Sequence, residues 1–142
     1  MSDLFLNLFL DRMDTPIGEL LIVADEAGKL RATDWIDFKS RMQGLLCRQY
    51  GMNGFRLEPA GNRSGPSSAL KAYFAGDVKA IDQVPVETAG TPFQRSVWSE
   101  LRKIPSGAAI SNGKLAERIA RPKAVRAVGL ANGANPIGIV VP

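Results

Sequence analysis

Histidine is absent from the 142 residues, and cysteine occurs once, as Cys47. Within this stretch, those two absences exclude a disulfide framework, a Cys/His zinc site, a Ser-His-Asp triad and a histidine general base. A lone thiol fits a reducing compartment, and a cytoplasmic location is expected. Long apolar runs are also lacking. The densest early one, Leu4 to Leu10, is interrupted by Asn7 and is far too short to cross a bilayer. It follows Met1-Ser2-Asp3, which carries no basic residue, so it does not read as a secretory signal. No membrane association is expected, and no metal or organic cofactor is indicated. Internal repeats and low-complexity tracts are missing too. With 45% hydrophobic and 23% charged residues, the composition is that of a globule rather than a disordered chain. The length fits one domain, or two small lobes that share a core.

Acidic residues are scarce at one end. Residues 1–90 hold 10 Lys/Arg and 12 Asp/Glu, a net of −2, whereas residues 91–142 hold 8 and 2, a net of +6. Such asymmetry fits an anionic partner at the basic end, with nucleic acid the first candidate. A solvated basic surface with no partner fits equally well on charge alone.

Leu4 to Arg12 reads as a strand. Asp14-Thr15-Pro16-Ile17-Gly18 is turn chemistry. Glu19 to Ala24 and Lys29 to Trp35 read as a strand pair joined by a hairpin loop at Asp25-Glu26-Ala27-Gly28. Asp37 to Tyr50 has helical spacing in Phe38, Met42, Leu45, Leu46 and Gln49, and Gly51 ends it. Cys47 falls inside this helix and reads as a small buried or half-buried thiol rather than a reactive one. Gly61 to Ser67 reads as a linker, Ser68 to Phe74 as a helix closed by Gly76-Asp77, and Ala80 to Glu87 as extended, with Pro85 arguing for an edge or no strand at all.

Three signals coincide at Thr91. Thr91 is an N-cap, Pro92 fits the first helical position, and Gln94 completes a capping box. Phe93, Val97, Leu101 and Ile104, with Trp98 beside them, form a core stripe that Pro105-Ser106-Gly107 stops. Ser111 caps a short helix over Gly113 to Ala120. Pro122 breaks it and starts another over Lys123 to Ala131, ended by Asn132-Gly133. Two short helices joined by a tight turn read as a helix-turn-helix. In the second, Val125, Val128 and Gly129 make one face, and Ala124, Ala127 and Ala131 a second, bald one. A bald face allows close approach to another surface, with Lys123 and Arg126 placed to meet phosphates or enter a groove. Packing of both faces inside the protein is the alternative. Ile137 to Val141 reads as a buried strand.

Four stretches resemble the methylated-DNA–protein-cysteine methyltransferases (O6-alkylguanine-DNA alkyltransferases), most closely the bacterial constitutive type. They are Thr91-Pro92-Phe93-Gln94-Arg95-Ser96-Val97-Trp98, Ile104-Pro105-Ser106-Gly107, Pro122-Lys123-Ala124-Val125-Arg126-Ala127-Val128-Gly129, and Asn135-Pro136-Ile137-Gly138-Ile139-Val140-Val141-Pro142. Thr15-Pro16-Ile17-Gly18 and Tyr73-Phe74-Ala75-Gly76 extend the similarity upstream. The resemblance implies an α+β protein in two parts. Residues 1–88 would form a small α/β, ribonuclease H-like lobe with an antiparallel sheet. Residues 89–142 would form an incomplete helical lobe carrying the helix-turn-helix.

The implied activity is DNA repair. A monomer binds double-stranded DNA in the minor groove, flips out O6-alkylguanine and transfers the alkyl group to its own cysteine, once per molecule. By the matching motif, Arg126 takes the place of the flipped nucleotide, with Lys123, Ala124, Ala127, Ser111 and Asn112 at the DNA surface. Asn112 stands where the family has a tyrosine that presses on the target phosphate. Asn135, Val141 and Pro142 belong to the base pocket. The acceptor cysteine sits in a Pro-Cys-His-Arg motif whose proline is Pro142. It would therefore follow the last residue given, and these 142 residues read as truncated and inactive. The alternative is a non-catalytic module that recognises alkylated DNA, like the alkyltransferase-like proteins.

Overall fold

A computed structural model describes residues 6–51, 53–59, 66–104 and 108–136. Its centre is a four-stranded sheet in the order β3-β2-β1-β4. The strands are β1 (Leu6–Thr15), β2 (Gly18–Asp25), β3 (Leu30–Trp35) and β4 (Phe55–Pro59). β1 pairs antiparallel with β2, and β2 with β3. β4 then joins the far edge of β1 in parallel, with Leu8 opposite Leu57, so a sheet expected to be antiparallel is mixed. The first turn is fixed by Thr15, whose hydroxyl donates to the Gly18 carbonyl at 2.7 Å, and by Gly18 itself at φ 139°.

Alternation along β2 divides its side chains between two layers. Leu21 and Val23 join Leu8, Ala32, Met42 and Leu46 beneath α1 (Lys39–Tyr50). Leu20 and Ile22 belong to a second cluster with Leu70 of α2 (Pro66–Phe74), and with side chains of α3 (Pro92–Arg102), α4 (Asn112–Arg118) and α5 (Val125–Gly133). One apolar cluster therefore runs from the sheet into α5. The expected division at 88/89 falls between parts that share this core.

Two expectations change. Ala80 to Glu87 is extended only in its second half. Ala80–Gln83 forms a 3-10 turn, because Val84 N–H bonds Ile81 O at 3.2 Å within the segment itself. Beyond it, Leu30 N–H donates to Pro85 O at 2.8 Å and Glu87 N–H to Leu30 O at 3.0 Å, which lays this stretch along the β3 edge, where a proline is tolerated. The helix expected over Asp37–Tyr50 begins with a 3-10 turn at Ile36–Phe38 and becomes α-helical at Lys39. Gly51 ends it at φ 84°.

An ion pair sets α1 against β3. Asp34, 7% exposed, receives both Nε and Nη2 of Arg41 at 2.9 and 2.6 Å and the Trp35 backbone N–H at 2.9 Å. The bond to Asp34 holds the Arg41 guanidinium pKa above its ordinary value.

Candidate nucleic-acid interface

Helix α3 is the base of the site. The Thr91 hydroxyl accepts the Gln94 N–H at 3.1 Å, and Gln94 Oε1 accepts the Thr91 N–H at 2.9 Å, so the capping box forms as its sequence predicts. Val97, Trp98 and Leu101 are buried from this helix. The Trp98 indole N–H donates to the Ala131 carbonyl at 2.9 Å, inside the core. This bond fixes the last turn of α5 against α3. Arg102, at the other end of α3, donates to the carbonyls of Ile81 (2.9 Å) and Val84. Burial lowers its guanidinium pKa from the ordinary value, against the opposing charge of Asp82.

Helix α4 starts where the Ser111 hydroxyl accepts the Lys114 N–H at 3.0 Å. It ends in a tight loop. Arg121 N–H reaches back to Ala116 O at 2.8 Å, while Ala120 stands at φ 59°, in the left-handed region that glycine normally fills. Pro122 and Lys123 then form a turn, with Ala124 N–H bonded to Arg121 O at 2.9 Å. Helix α5 consequently starts at Val125 rather than at Lys123.

The face assignment on α5 also changes. Ala131, placed on the bald outer face by its spacing, is buried at 2% beside Val128 at 0%, whereas Val125 is 42% exposed. Trp98 and the shared core set this rotation. The outward face instead carries Arg126, Ala127 and Leu130, with Lys123 exposed just before it. Ala124 is half-buried. Ser111 and Asn112 are exposed, but Ser111 is occupied as a cap, and Asn112 Oδ1 accepts from Asn132 Nδ2 at 2.9 Å. Asn112 also lies where a Cβ on Gly129 would come within 3.4 Å of its Nδ2, so α4 and α5 meet closely there. Asn135 is half-buried after α5, and its N–H bonds Asn132 O at 3.3 Å. Val141 and Pro142 lie outside the described residues.

Electrostatics single out the same surface. Lys114, Arg118, Arg121, Lys123 and Arg126 are all exposed, and Glu117 is the sole carboxylate between Ser111 and Pro136. Among the described residues, none of the five makes an ion pair. Unneutralised cations on two adjoining short helices and the loop that joins them form a positive patch. The Trp98–Ala131 bond, the Asn112–Asn132 bridge and the exposed Leu130 have no counterpart in the sequence reading. Only Leu130 left a signal there, an aliphatic residue four positions after Arg126 and hence on its face.

The model of the 6-O-methylguanine DNA methyltransferase DNA binding domain matches residues 92–142, which takes in α3, α4 and α5. The methylated-DNA–protein-cysteine methyltransferase of Shigella flexneri is 47% identical over 137 residues, covering 96% of this chain and 80% of that protein. The chain belongs to the methylated-DNA–protein-cysteine methyltransferases. Solved methyltransferase structures agree in fold. The O6-methylguanine methyltransferase of Mycobacterium tuberculosis superposes with a TM-score of 0.70 at 34% identity, covering 95% of this chain and 75% of that one. The same organism's OGT in complex with DNA gives 0.68 at 35% identity, covering 96% and 74%. The α+β class expected of a methyltransferase is therefore the one observed.

The lone thiol lies elsewhere in this methyltransferase fold. Cys47 is half-buried in α1, which packs on the opposite layer of the sheet from the core of α3, α4 and α5. Among the described residues there is no group of three or more His, Cys, Asp or Glu that could hold a metal ion, and no helix long and apolar enough to cross a membrane.

Proposed function

We propose that the α4–α5 face binds double-stranded DNA as a monomer in the cytoplasm, with α5 entering the minor groove and O6-alkylguanine as the lesion recognised. The unpaired cationic patch carries this reading, because it supplies phosphate contacts that position a helix on a duplex. Lys123 serves the backbone. Arg126 projects from the outward face of α5 and fills the gap left by an extruded base, a site that favours a long cationic side chain. Ala124 and Ala127 keep the flank of α5 low. Asn135 and the residues beyond it shape the base pocket. Ser111 and Asn112 act on DNA indirectly, since their side-chain oxygens already hold α4 in place.

The family's reaction moves an alkyl group from guanine O6 to a cysteine thiolate, and such a thiolate needs a lowered pKa and a base beside it. No histidine in these 142 residues can serve Cys47 as a base, and the thiol sits half-buried in α1. We therefore expect these residues, by themselves, to bind alkylated duplex without repairing it. That same placement of the thiol favours a second reading, a module that recognises alkylated DNA without chemistry.

The test pairs binding with mass spectrometry, using duplexes with and without O6-methylguanine. The reading predicts tighter binding of the methylated duplex, a loss of that preference in Arg126→Ala, and an unchanged protein mass. Equal affinity for the two duplexes would remove lesion recognition, and a one-methyl mass gain on Cys47 would contradict the assignment of no transfer.

A further inference from the structure

We propose that Leu130 is an apolar wedge of the DNA surface, entering the minor groove one helical turn beyond Arg126. The inference rests on the reading of α5 as the DNA-contacting helix. Leu130 is 72% exposed, second among the large hydrophobic side chains of the described residues to Ile17 at 76% in the first turn. A single exposed leucine is ordinary on a protein surface. Its setting is what distinguishes this one. At four residues after Arg126 it shares the outward face of α5, and the next position on that side is a glycine, the exposed Gly133. A Cβ built on Gly133 meets no atom within 4 Å. Leu130 thus stands as a lone aliphatic projection on an otherwise bare stretch of helix. It borders an open cleft of about 700 Å³ whose other wall includes Leu45 and Arg48 of α1.

Charge complementarity fixes the occupant as a duplex. The projection follows directly on Lys123 and Arg126, in the patch of five unpaired cations. Proteins that open the minor groove insert leucine or similar side chains between base steps, partly unstacking them, while cations hold the flanking phosphates. The division of labour on α5 follows. Arg126 occupies the vacated stack, and Leu130 holds the neighbouring step open, with Gly133 leaving room for the sugar edges.

The experiment compares the unmodified chain, Leu130→Ala and Leu130→Met by fluorescence anisotropy over a range of salt, on a duplex carrying 2-aminopurine beside O6-methylguanine. Because the side chain is exposed, all three should melt within a few degrees of one another. Leu130→Ala should weaken binding about tenfold, the loss of roughly two buried methylene equivalents, by the same factor at each salt concentration. Its slope against salt should match the unmodified chain, since no phosphate contact is removed. Leu130→Met should bind within about twofold of the unmodified chain. The rise in 2-aminopurine emission on unstacking should be full with leucine or methionine and clearly smaller with alanine. Undiminished affinity or an unchanged emission rise in Leu130→Ala would overturn the wedge while leaving the DNA-binding reading intact, and would point to a protein occupant of the cleft. Failure of the unmodified chain to bind the duplex would overturn both.

Discussion

Replacing Gly90 with alanine tests how firmly α5 is held. A Cβ at this position would lie 2.6 Å from Cη2 and Cζ3 of Trp98 and 2.8 Å from Gln94 Oε1. Neither neighbour yields readily. Gln94 Oε1 is engaged by the Thr91 N–H, and Trp98 is 3% exposed and tied to the Ala131 carbonyl. Overpacking of this kind costs about 1–3 kcal/mol, and the lower unfolded-state entropy of alanine returns about 0.4–1 kcal/mol. A net loss of about 1–2 kcal/mol corresponds to a drop of roughly 3–8 °C in Tm for a chain of this size. Thermal melts followed by circular dichroism measure it. Trp98→Phe removes the ring atoms that clash, at its own cost of about 1–3 kcal/mol for the void and the lost indole bond. The double variant should therefore be more stable than additivity allows, by about 1 kcal/mol or more. Melting of Gly90→Ala at or above the unmodified chain, or strict additivity in the double variant, would refute the reasoning.

Three further substitutions probe the frame of the site. Ala120→Gly should raise stability by about 0.5–1 kcal/mol, because the loop after α4 holds this residue at φ 59°; a lower Tm would contradict the strain. Thr91→Ala should cost about 1 kcal/mol by opening the capping box, read as a lower denaturant midpoint with an unchanged slope. Arg102→Met should cost about 1–3 kcal/mol and speed proteolytic cleavage around residues 80–84, whose carbonyls it leaves without their guanidinium; cleavage at the unmodified rate would show that the strap is dispensable.

What could be read from sequence was what is decided locally. The capping box at Thr91 and the cap at Ser111 depend on residues three apart, and both formed. The β1–β2 and β2–β3 hairpins depend on short turns with alternating flanks, and they formed too. β4 was not legible. Phe55–Pro59 is short, mostly solvated and rich in polar residues, and it becomes a strand only by parallel pairing with residues near the start of the chain. The 3-10 turn at Ala80–Gln83 was obscured by β-branched neighbours that do lie extended further on. The helix-turn-helix was legible as a pattern, and the DNA-facing roles assigned to its residues came from family resemblance rather than from that pattern. Its rotation was not, because the Trp98–Ala131 bond and the shared core select which face of α5 is buried, across 33 residues of chain. That is why Ala131 was misassigned to the surface and Leu130 went unremarked.

Duplex affinity measured against salt concentration tests the α4–α5 surface most directly. If all five unpaired cations meet phosphates, log K should fall against log salt with a slope near −4.5, at about 0.9 per phosphate neutralised. Joint replacement of Lys123 and Arg126 by alanine should make that slope shallower by about 2, whereas Lys71→Ala, at an exposed position of α2, should leave it unchanged. A flat salt dependence, or an equal effect from Lys71→Ala, would contradict a DNA surface on these two helices.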